Sequence, residues 1–319
     1  MISFIIVGRN ESNKLEKCFN SVFQFIKANV IISAEIIYID SDSSDNSIEI
    51  AKTKGVHKIY RISGNINSAI GRNVGAKQAV GEILFFIDGD MEILPSFFPD
   101  AFIDENTIKY DFISGQFVNM FYDKNGNFQC SDEKYKKNIN KDYEQTTVGG
   151  LFIIYKNLWN SVSGMKEKYK RSHDLDLGLR LAKKGYFLLR KGKIAAYHHT
   201  IMYQNKARVW NMFKDKKLFY QNAVLLRDHL FNPYIYRYLI RKEYSFLAIF
   251  LSSLLSILSL YAFLIYPSVL LSRSIVNAKK RKTSLGFILF FNLLKDFGFL
   301  LFLFTFFPKK PKYQTERIQ

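Results

Sequence analysis

The chain has 319 residues but only two cysteines, Cys18 and Cys130, far apart. That excludes a disulfide framework and a cysteine zinc site, and it suits a reducing compartment. No Gly-x-Gly-x-x-Gly follows the first apolar run, and no Gly-Lys-Ser/Thr loop occurs, so ordinary dinucleotide and P-loop sites are set aside. Acidic residues are few, 28 against 46 Lys and Arg, leaving a net charge of +18. Such a charge attracts nucleic acid or anionic membrane. No DNA- or RNA-binding motif stands out, and the basic residues crowd the C-terminal half beside very apolar segments. The expected partner is therefore membrane and not nucleic acid. The first apolar run is too short for a signal peptide and has no basic residues before it. The N-terminal half is expected on the cytoplasmic face of the cell membrane.

What is present is a series of apolar strands that end in acids. Ile83-Leu84-Phe85-Phe86-Ile87-Asp88-Gly89-Asp90 is the clearest case. Residues i and i+2 of an extended chain point the same way, so Asp88 and Asp90 are expected to project together. The carboxyl ends of strands are where open α/β sheets bind ligands. Paired carboxylates there suit Mn²⁺ or Mg²⁺ held jointly with substrate phosphates. Ser3-Phe4-Ile5-Ile6-Val7 is a first strand, broken by Gly8-Arg9-Asn10-Glu11-Ser12, and Ala34 to Asp40 is a second. Helical spacing follows from Asn13 to about Ala28, with Leu15, Phe19, Val22, Phe23 and Ile26 on one face and Ser12 or Asn13 as the N-cap. Further helices are expected from near Asn46 and over Asn67 to Val80. Strand and helix alternating over short connections predict an α/β fold with a mostly parallel sheet.

These segments resemble family 2 glycosyltransferases of the GT-A fold. The resemblance rests on Ser3 to Glu11, on Ile37 to Asp45, on Gly71-Arg72-Asn73-Val74-Gly75 and on Phe86 to Asp90, in order and in register across about residues 2 to 200. It implies a Rossmann-like nucleotide-sugar site. Asp40 would hold the base, with Asn10 and Glu11 in the loop lining the same pocket. Arg72 would lie near base or diphosphate, Asp88 at the ribose and Asp90 on the metal. Asp42 stands where the family has Gly, and Asp tolerates left-handed geometry better than most residues.

Downstream, Asp111 to Tyr122 reads as a long strand and Asn125-Gly126 as a hairpin turn. Residues 129 to 145 read as a charged loop, either one that orders on substrate or a variable surface segment. Val148 to Ile154 is a buried strand entered through two glycines. Ser172-His173-Asp174-Leu175-Asp176 opens a helix, where acids complement the dipole. The resemblance implies that Asp174 is the general base and leaves His173 where an acid is usual. His173 then orients the acceptor, shares proton transfer or is incidental. His198, of the pair His198-His199, matches the histidine that completes the metal shell in some relatives.

Three regions are expected: residues 1–205 as the GT-A domain, 206–243 as a basic amphipathic segment, and 244–319 as a hydrophobic helical hairpin with a basic tail. Residues 206 to 231 read as an interfacial helix or one packed on the domain. The runs 246–266 and 285–307 are long enough to cross a bilayer, with Pro267 ending the first and Lys295-Asp296 interrupting the second. A loop between them carrying Arg273, Lys279, Lys280, Arg281 and Lys282 opposes the positive-inside rule for two crossings. A re-entrant hairpin satisfies those charges better, and a buried soluble hairpin is the other alternative.

The reading is an inverting, metal-dependent transferase. It moves a sugar from a nucleoside diphosphate donor, UDP-linked by preference, to a hydroxyl of a lipid-linked or surface-glycan acceptor. The alternatives are a GT-A membrane protein that binds without transfer, and a nucleotidyltransferase of similar architecture.

Overall fold

The computed structural model of the protein describes residues 1–123, 125–133, 140–201, 221–281 and 283–319. The chain forms two compact units, Met1–Tyr203 with Lys309–Gln319, and Gln204–Pro308.

The first unit begins β1 (Ile2–Gly8), α1 (Ser12–Ala28), β2 (Ala34–Asp40), α2 (Ser47–Thr53), β3 (Lys58–Gly64), α3 (Ser68–Gln78) and β4 (Ile83–Asp88). β1 to β4 pair in parallel, in the order β4-β1-β2-β3. Every residue of β1 is buried, as a strand covered on both faces requires. The unit continues with β5 (Met91–Ile93), α4 (Phe98–Ala101), β6 (Phe102–Asp104), β7 (Thr107–Ile108), β8 (Phe112–Tyr122), β9 (Phe128–Glu133), β10 (Tyr143–Gln145), β11 (Leu151–Tyr155), α5 (Lys156–Ser161), α6 (His173–Lys183) and β12 (Leu188–Ile201). β11 joins β4 antiparallel, β8 joins β11 antiparallel, and β12 joins β8 parallel. On the opposite edge β13 (Tyr313–Arg317) pairs antiparallel with β3. This is a GT-A type α/β fold with a parallel centre and mixed flanks.

Two apolar layers hold the sheet. On one face α1 packs Leu15, Phe19, Val22 and Phe25 against Phe4, Tyr38 and Phe85. Burying one such ring contributes about 1.5–3 kcal/mol. Phe25 is the core residue, while Phe23 and Ile26 are only partly buried. The helix starts at Ser12 because the Ser12 N–H donates to the Asp45 carboxylate at 3.0 Å and Glu11 takes the capping position. On the other face α3 lies directly on β1. A Cβ at Gly71 would stand 2.5 Å from Val7 Cγ1, and one at Gly75 2.2 Å from Ile5 Cγ2. Only glycine permits that approach.

Three expectations are corrected here. Residues 129 to 145 are not all loop, since β9 pairs with β8 and β10 with β12. The tail is not an appendage of the hairpin but supplies β13 to the first unit. The apolar run 246–266 is not one helix.

In the second unit, a helix Tyr244–Leu255 ends, and a 3₁₀ turn Leu260–Leu264 leads into the helix Ile265–Arg281. Pro267 sits in the first turn of that helix, where its missing N–H is tolerated. Arg273 and Lys279 to Arg281 are therefore helical, not a loop. Arg273 is buried and bonds Glu243 at 3.1 Å and Asp296 at 3.4 Å, and Lys295 pairs with Glu243 rather than with Asp296. Buried charges left single would be strongly destabilising. Among the described residues, Leu260–Lys280 and Leu285–Thr305 are long and apolar enough to cross a membrane. Of the expected helix 206–231, residues 206–220 lie outside the described residues. The rest forms Gln221–Asp228, followed by Pro233–Lys242.

Candidate functional site

The carboxyl ends of β1 and β4 open onto a cleft of about 250 Å³. Gly8, Arg9, Glu11, Ser41, Asn67, Ser68, Asp88 and Asp90 line it together with Val7, Ile66 and Gly89. Sites that enclose a drug-sized ligand measure about 300–1,000 Å³, so this one is small for a ligand of that size. A wider hollow of about 570 Å³ beside Tyr155 and Lys184 holds none of the predicted site residues.

Asp88 and Asp90 share the cleft although residues 89 and 90 form a turn rather than strand. The Gly89 N–H donates to Val7 O at 2.9 Å, which closes that turn against β1. Asp88 accepts from Arg72 at 2.5 Å, and Arg72 is only 3% exposed. Burial raises the Asp88 carboxyl above the usual carboxylate range; Arg72 opposes this and the charge of Asp90 adds to it. Gly150 admits the Asp88 carboxylate, for a Cβ there would stand 2.1 Å from Oδ2. Glu11 bonds Lys14 at 2.8 Å, and burial raises its carboxyl, Lys14 pulling it back.

Asp90 faces His198, Oδ2 to Nε2, at 3.1 Å. Asn119 Oδ1 lies 2.9 Å from His198 Nδ1, while its amide nitrogen donates to Asp132. Asn119 therefore accepts, and Nδ1 carries the proton. Nε2 and the Asp90 carboxylate then confront each other as two acceptors unless a proton or cation lies between them. A partner on the far ring nitrogen is how histidine ligands are held in orientation. Among the described residues no group of three or more His, Cys, Asp or Glu converges for a metal, and Asp90 and His198 are the pair that could hold a cation here. His199 goes elsewhere, because successive strand residues face opposite ways. It bridges Tyr122 at 2.9 Å and Glu92 at 3.0 Å.

Asp40 and Asn10 form the wall rather than the lining. Asp40 is fully buried and accepts from the Ser43 N–H at 2.8 Å and Tyr38 OH at 3.1 Å. Asn10 accepts from the Ser44 N–H at 2.8 Å, so the two loops lock together. Asp42 has φ 58°, the left-handed geometry its substitution for Gly calls for, and it pairs with Arg61 at 2.8 Å.

His173 opens α6. Its Nε2 lies 2.8 Å from Ser68 Oγ and 3.4 Å from Arg72. Arginine only donates, so Nε2 accepts and the proton sits on Nδ1, which is buried without a partner. Burial, reinforced by Arg72, pushes the imidazole down to about 4. His173 is thus neutral at neutral pH and props Arg72 against Asp88. Asp174 follows it, half-buried in the first turn of α6 and outside the cleft lining. Asp176 is structural: it is fully buried and takes both Nε and a terminal nitrogen of Arg180, at 2.9 and 2.7 Å.

Sequence reading missed Arg9, Ser68 and Asn119. Arg9 was signalled by its place directly after β1, whereas nothing local marks the other two.

Comparison with known proteins agrees with this architecture. The family model described as glycosyl transferase family 2 matches residues 3–187. The 4,4'-diaponeurosporenoate glycosyltransferase of Staphylococcus haemolyticus (strain JCSC1435) is 37% identical over 98 residues, 29% of this chain and 24% of that protein. The uncharacterized glycosyltransferase YibD of Escherichia coli (strain K12) is 30% identical over 100 residues, 30% of this chain and 28% of that protein. The match thus spans about a quarter of these relatives' length. Among solved structures, GalNAc-T7 with UDP, GalNAc and Mn²⁺ superimposes with a TM-score of 0.51 at 15% identity, over 76% of this chain and 56% of that one. S. aureus TarS 1-349 with UDP-GlcNAc gives 0.47 at 21% identity, over 65% and 60%.

Proposed function

The chain belongs to glycosyl transferase family 2, and from that premise we propose that it is an inverting, metal-dependent enzyme. The substrates are a nucleoside diphosphate sugar, UDP-linked by preference, and an acceptor hydroxyl. The carrying observation is the cleft that gathers Glu11, Ser68, Asp88 and Asp90, with Asp90 set acceptor to acceptor against His198. Asp90 and His198 would hold Mn²⁺ or Mg²⁺, which when bound neutralises charge on the leaving diphosphate. Asp88, fixed by Arg72, takes the ribose hydroxyls. The turn built by Asp40 and Asn10 shapes the base pocket, and Arg9 offers a cation to the phosphates.

Asp174 removes the proton of the acceptor hydroxyl as general base. The oxygen bonds to the anomeric carbon from the face opposite the diphosphate. The bond to the diphosphate breaks, its electron pair leaving with the nucleoside diphosphate, and the configuration inverts. His173, held neutral, acts by supporting Arg72 and not by carrying the proton.

The second unit supports a membrane-bound setting on the cytoplasmic face, with a lipid-linked or surface-glycan acceptor. Leu254, Ile257, Leu258, Leu260 and Tyr261 are all more than half exposed, beside basic helices. Both of its ends run into the first unit, which supports an even number of crossings. The Lys279–Arg281 cluster and buried Arg273 favour the re-entrant form over two crossings. Detergent but not salt should extract the full chain, since apolar burial is not screened.

The test is a screen of nucleotide sugars by thermal shift in Mn²⁺, followed by transfer to candidate acceptors. A donor at 100 times its Kd stabilises the fold by about 2.7 kcal/mol. Release of pyrophosphate instead of nucleoside diphosphate would favour a nucleotidyltransferase, and no shift with any donor would remove the reading.

A further inference from the structure

The segment between α5 and α6 delivers His173 and Asp174, and its anchorage is unusual. Asn73 of α3 donates from Nδ2 to Met165 O at 2.8 Å and to Glu167 Oε1 at 3.1 Å, and its Oδ1 accepts from the Met165 N–H at 2.9 Å. Asn67 donates to Glu167 O at 2.8 Å. From the opposite side, Tyr313 OH of β13 donates to Glu167 Oε1 at 3.1 Å, and Lys310 Nζ lies 3.2 Å from Oε2. The Glu167 side chain is 8% exposed. One enclosed carboxylate therefore ties together the helix that carries Arg72, the segment that leads to Asp174, and a strand that returns after the whole apolar unit.

The far end of the segment is strained. Ser172 has φ 61°, a left-handed conformation that costs a non-glycine residue on the order of 1 kcal/mol or more. α6 thus starts from a backbone turn that its surroundings must impose. None of residues 165–172 lines the donor cleft. Asn67 lines that cleft but bonds the Glu167 backbone and not its carboxylate, so removing the carboxylate should act on the acceptor side far more than on donor binding.

We propose that Glu167 is a positioning residue for transfer: pinned between Asn73 and Tyr313, its carboxylate sets the segment that presents Asp174. β13 is then part of the acceptor side of the site. This rests on the reading of Asp174 as the base, and the experiment separates the two. In the full chain, Glu167→Ala should lower kcat for transfer by about 10²-fold, the scale of a misplaced catalytic group, with donor affinity within about twofold of wild type. Glu167→Gln keeps an acceptor oxygen for Asn73 and Tyr313 and should recover kcat to within about threefold of wild type. Amide exchange over residues 166–172 should quicken about tenfold in the Ala variant and not in the Gln variant.

Tyr313→Phe leaves the backbone pairs of β13 intact and should move kcat and exchange in the same direction, by a smaller factor. It keeps the proposal testable if Glu167→Ala does not fold. Wild-type kcat and exchange in the Ala variant would overturn the proposal. So would a loss of kcat matched by an equal loss of donor affinity, or a Gln variant as impaired as Ala. If the wild type transfers to no acceptor, the reading of Asp174 fails, while unchanged exchange over 166–172 would still overturn the clamp and quickened exchange would support it.

Discussion

His173 makes the stability of the first unit depend on pH between about 4 and 6.5. In the unfolded chain its imidazole binds a proton near 6.5; in the fold, burial and the neighbouring Arg72 hold that back to about 4. Between those values the unfolded state binds more protons, so stability falls as pH is lowered. The contribution is fully present above 6.5 and lost on approaching 4. The gap corresponds to about 3 kcal/mol. For a unit of this size urea m-values are about 2–3 kcal/mol/M, so the midpoint should drop by about 1 M from this group alone. The assay is urea unfolding followed by Trp159 fluorescence in a Trp210→Phe background, since the chain has only two tryptophans and Trp159 is buried in the first unit. Carboxylates also titrate in this range, so the comparison is with His173→Gln, whose amide reaches the Nε2 position without a titrating group. The variant should lose about 1 M less than wild type between pH 7 and 4. Parallel pH profiles for the two proteins would refute the placement of a neutral, enclosed His173 against Arg72.

Other substitutions separate the parts of the site. Asp90→Asn keeps the shape but removes a charged ligand; transfer should fall by at least about 10²-fold with the fold intact, and wild-type rate and metal response would remove Asp90 from the metal. Asp174→Asn should cost about 10²–10⁴-fold in turnover with donor affinity nearly unchanged; a variant that turns over normally at saturation but binds donor weakly would move Asp174 to the donor side. Gly150→Ala drives a methyl into Asp88 and should displace its carboxylate from Arg72, weakening donor binding by about tenfold in a calorimetric titration. Unchanged donor affinity there would mean that Asp88 is not a donor contact.

Three strands of the parallel centre were legible because each ends in a visible break: Gly8, Asp40 and Asp88 stand where β1, β2 and β4 finish, whereas β3, with Lys58 and Arg61 among its apolar residues, was not read from the sequence. The cleft was legible in the same way, from acids spaced along those ends. Contacts between distant segments were not. Asn119 looks like any residue of a long strand until β12 sets His198 beside it. Asp40 sits at a strand end like Asp88, yet Tyr38 and Ser43 turn its carboxylate inward. Apolarity marks the long hydrophobic stretches of the second unit, but not where its helices break, since Ser256 to Ser259 carry no charge or proline. The strand Tyr313–Arg317 gives the least signal, being short, polar and next to a lysine-rich stretch. A truncation ahead of Tyr244, reasonable from composition, would strip β3 of its neighbour.

That neighbour arrives late. Gln319 bonds Val56 across 263 positions, so the contact forms only long after β3 has been synthesised. At 5–20 residues per second, the hundred or so residues separating β12 from β13 take roughly 5–20 s to synthesise. For that interval the outer edge of β3 presents unpaired N–H and C=O groups, a template for pairing with another nascent chain. β13 pairs with that edge from Tyr60 to Gly64 and ends the exposure.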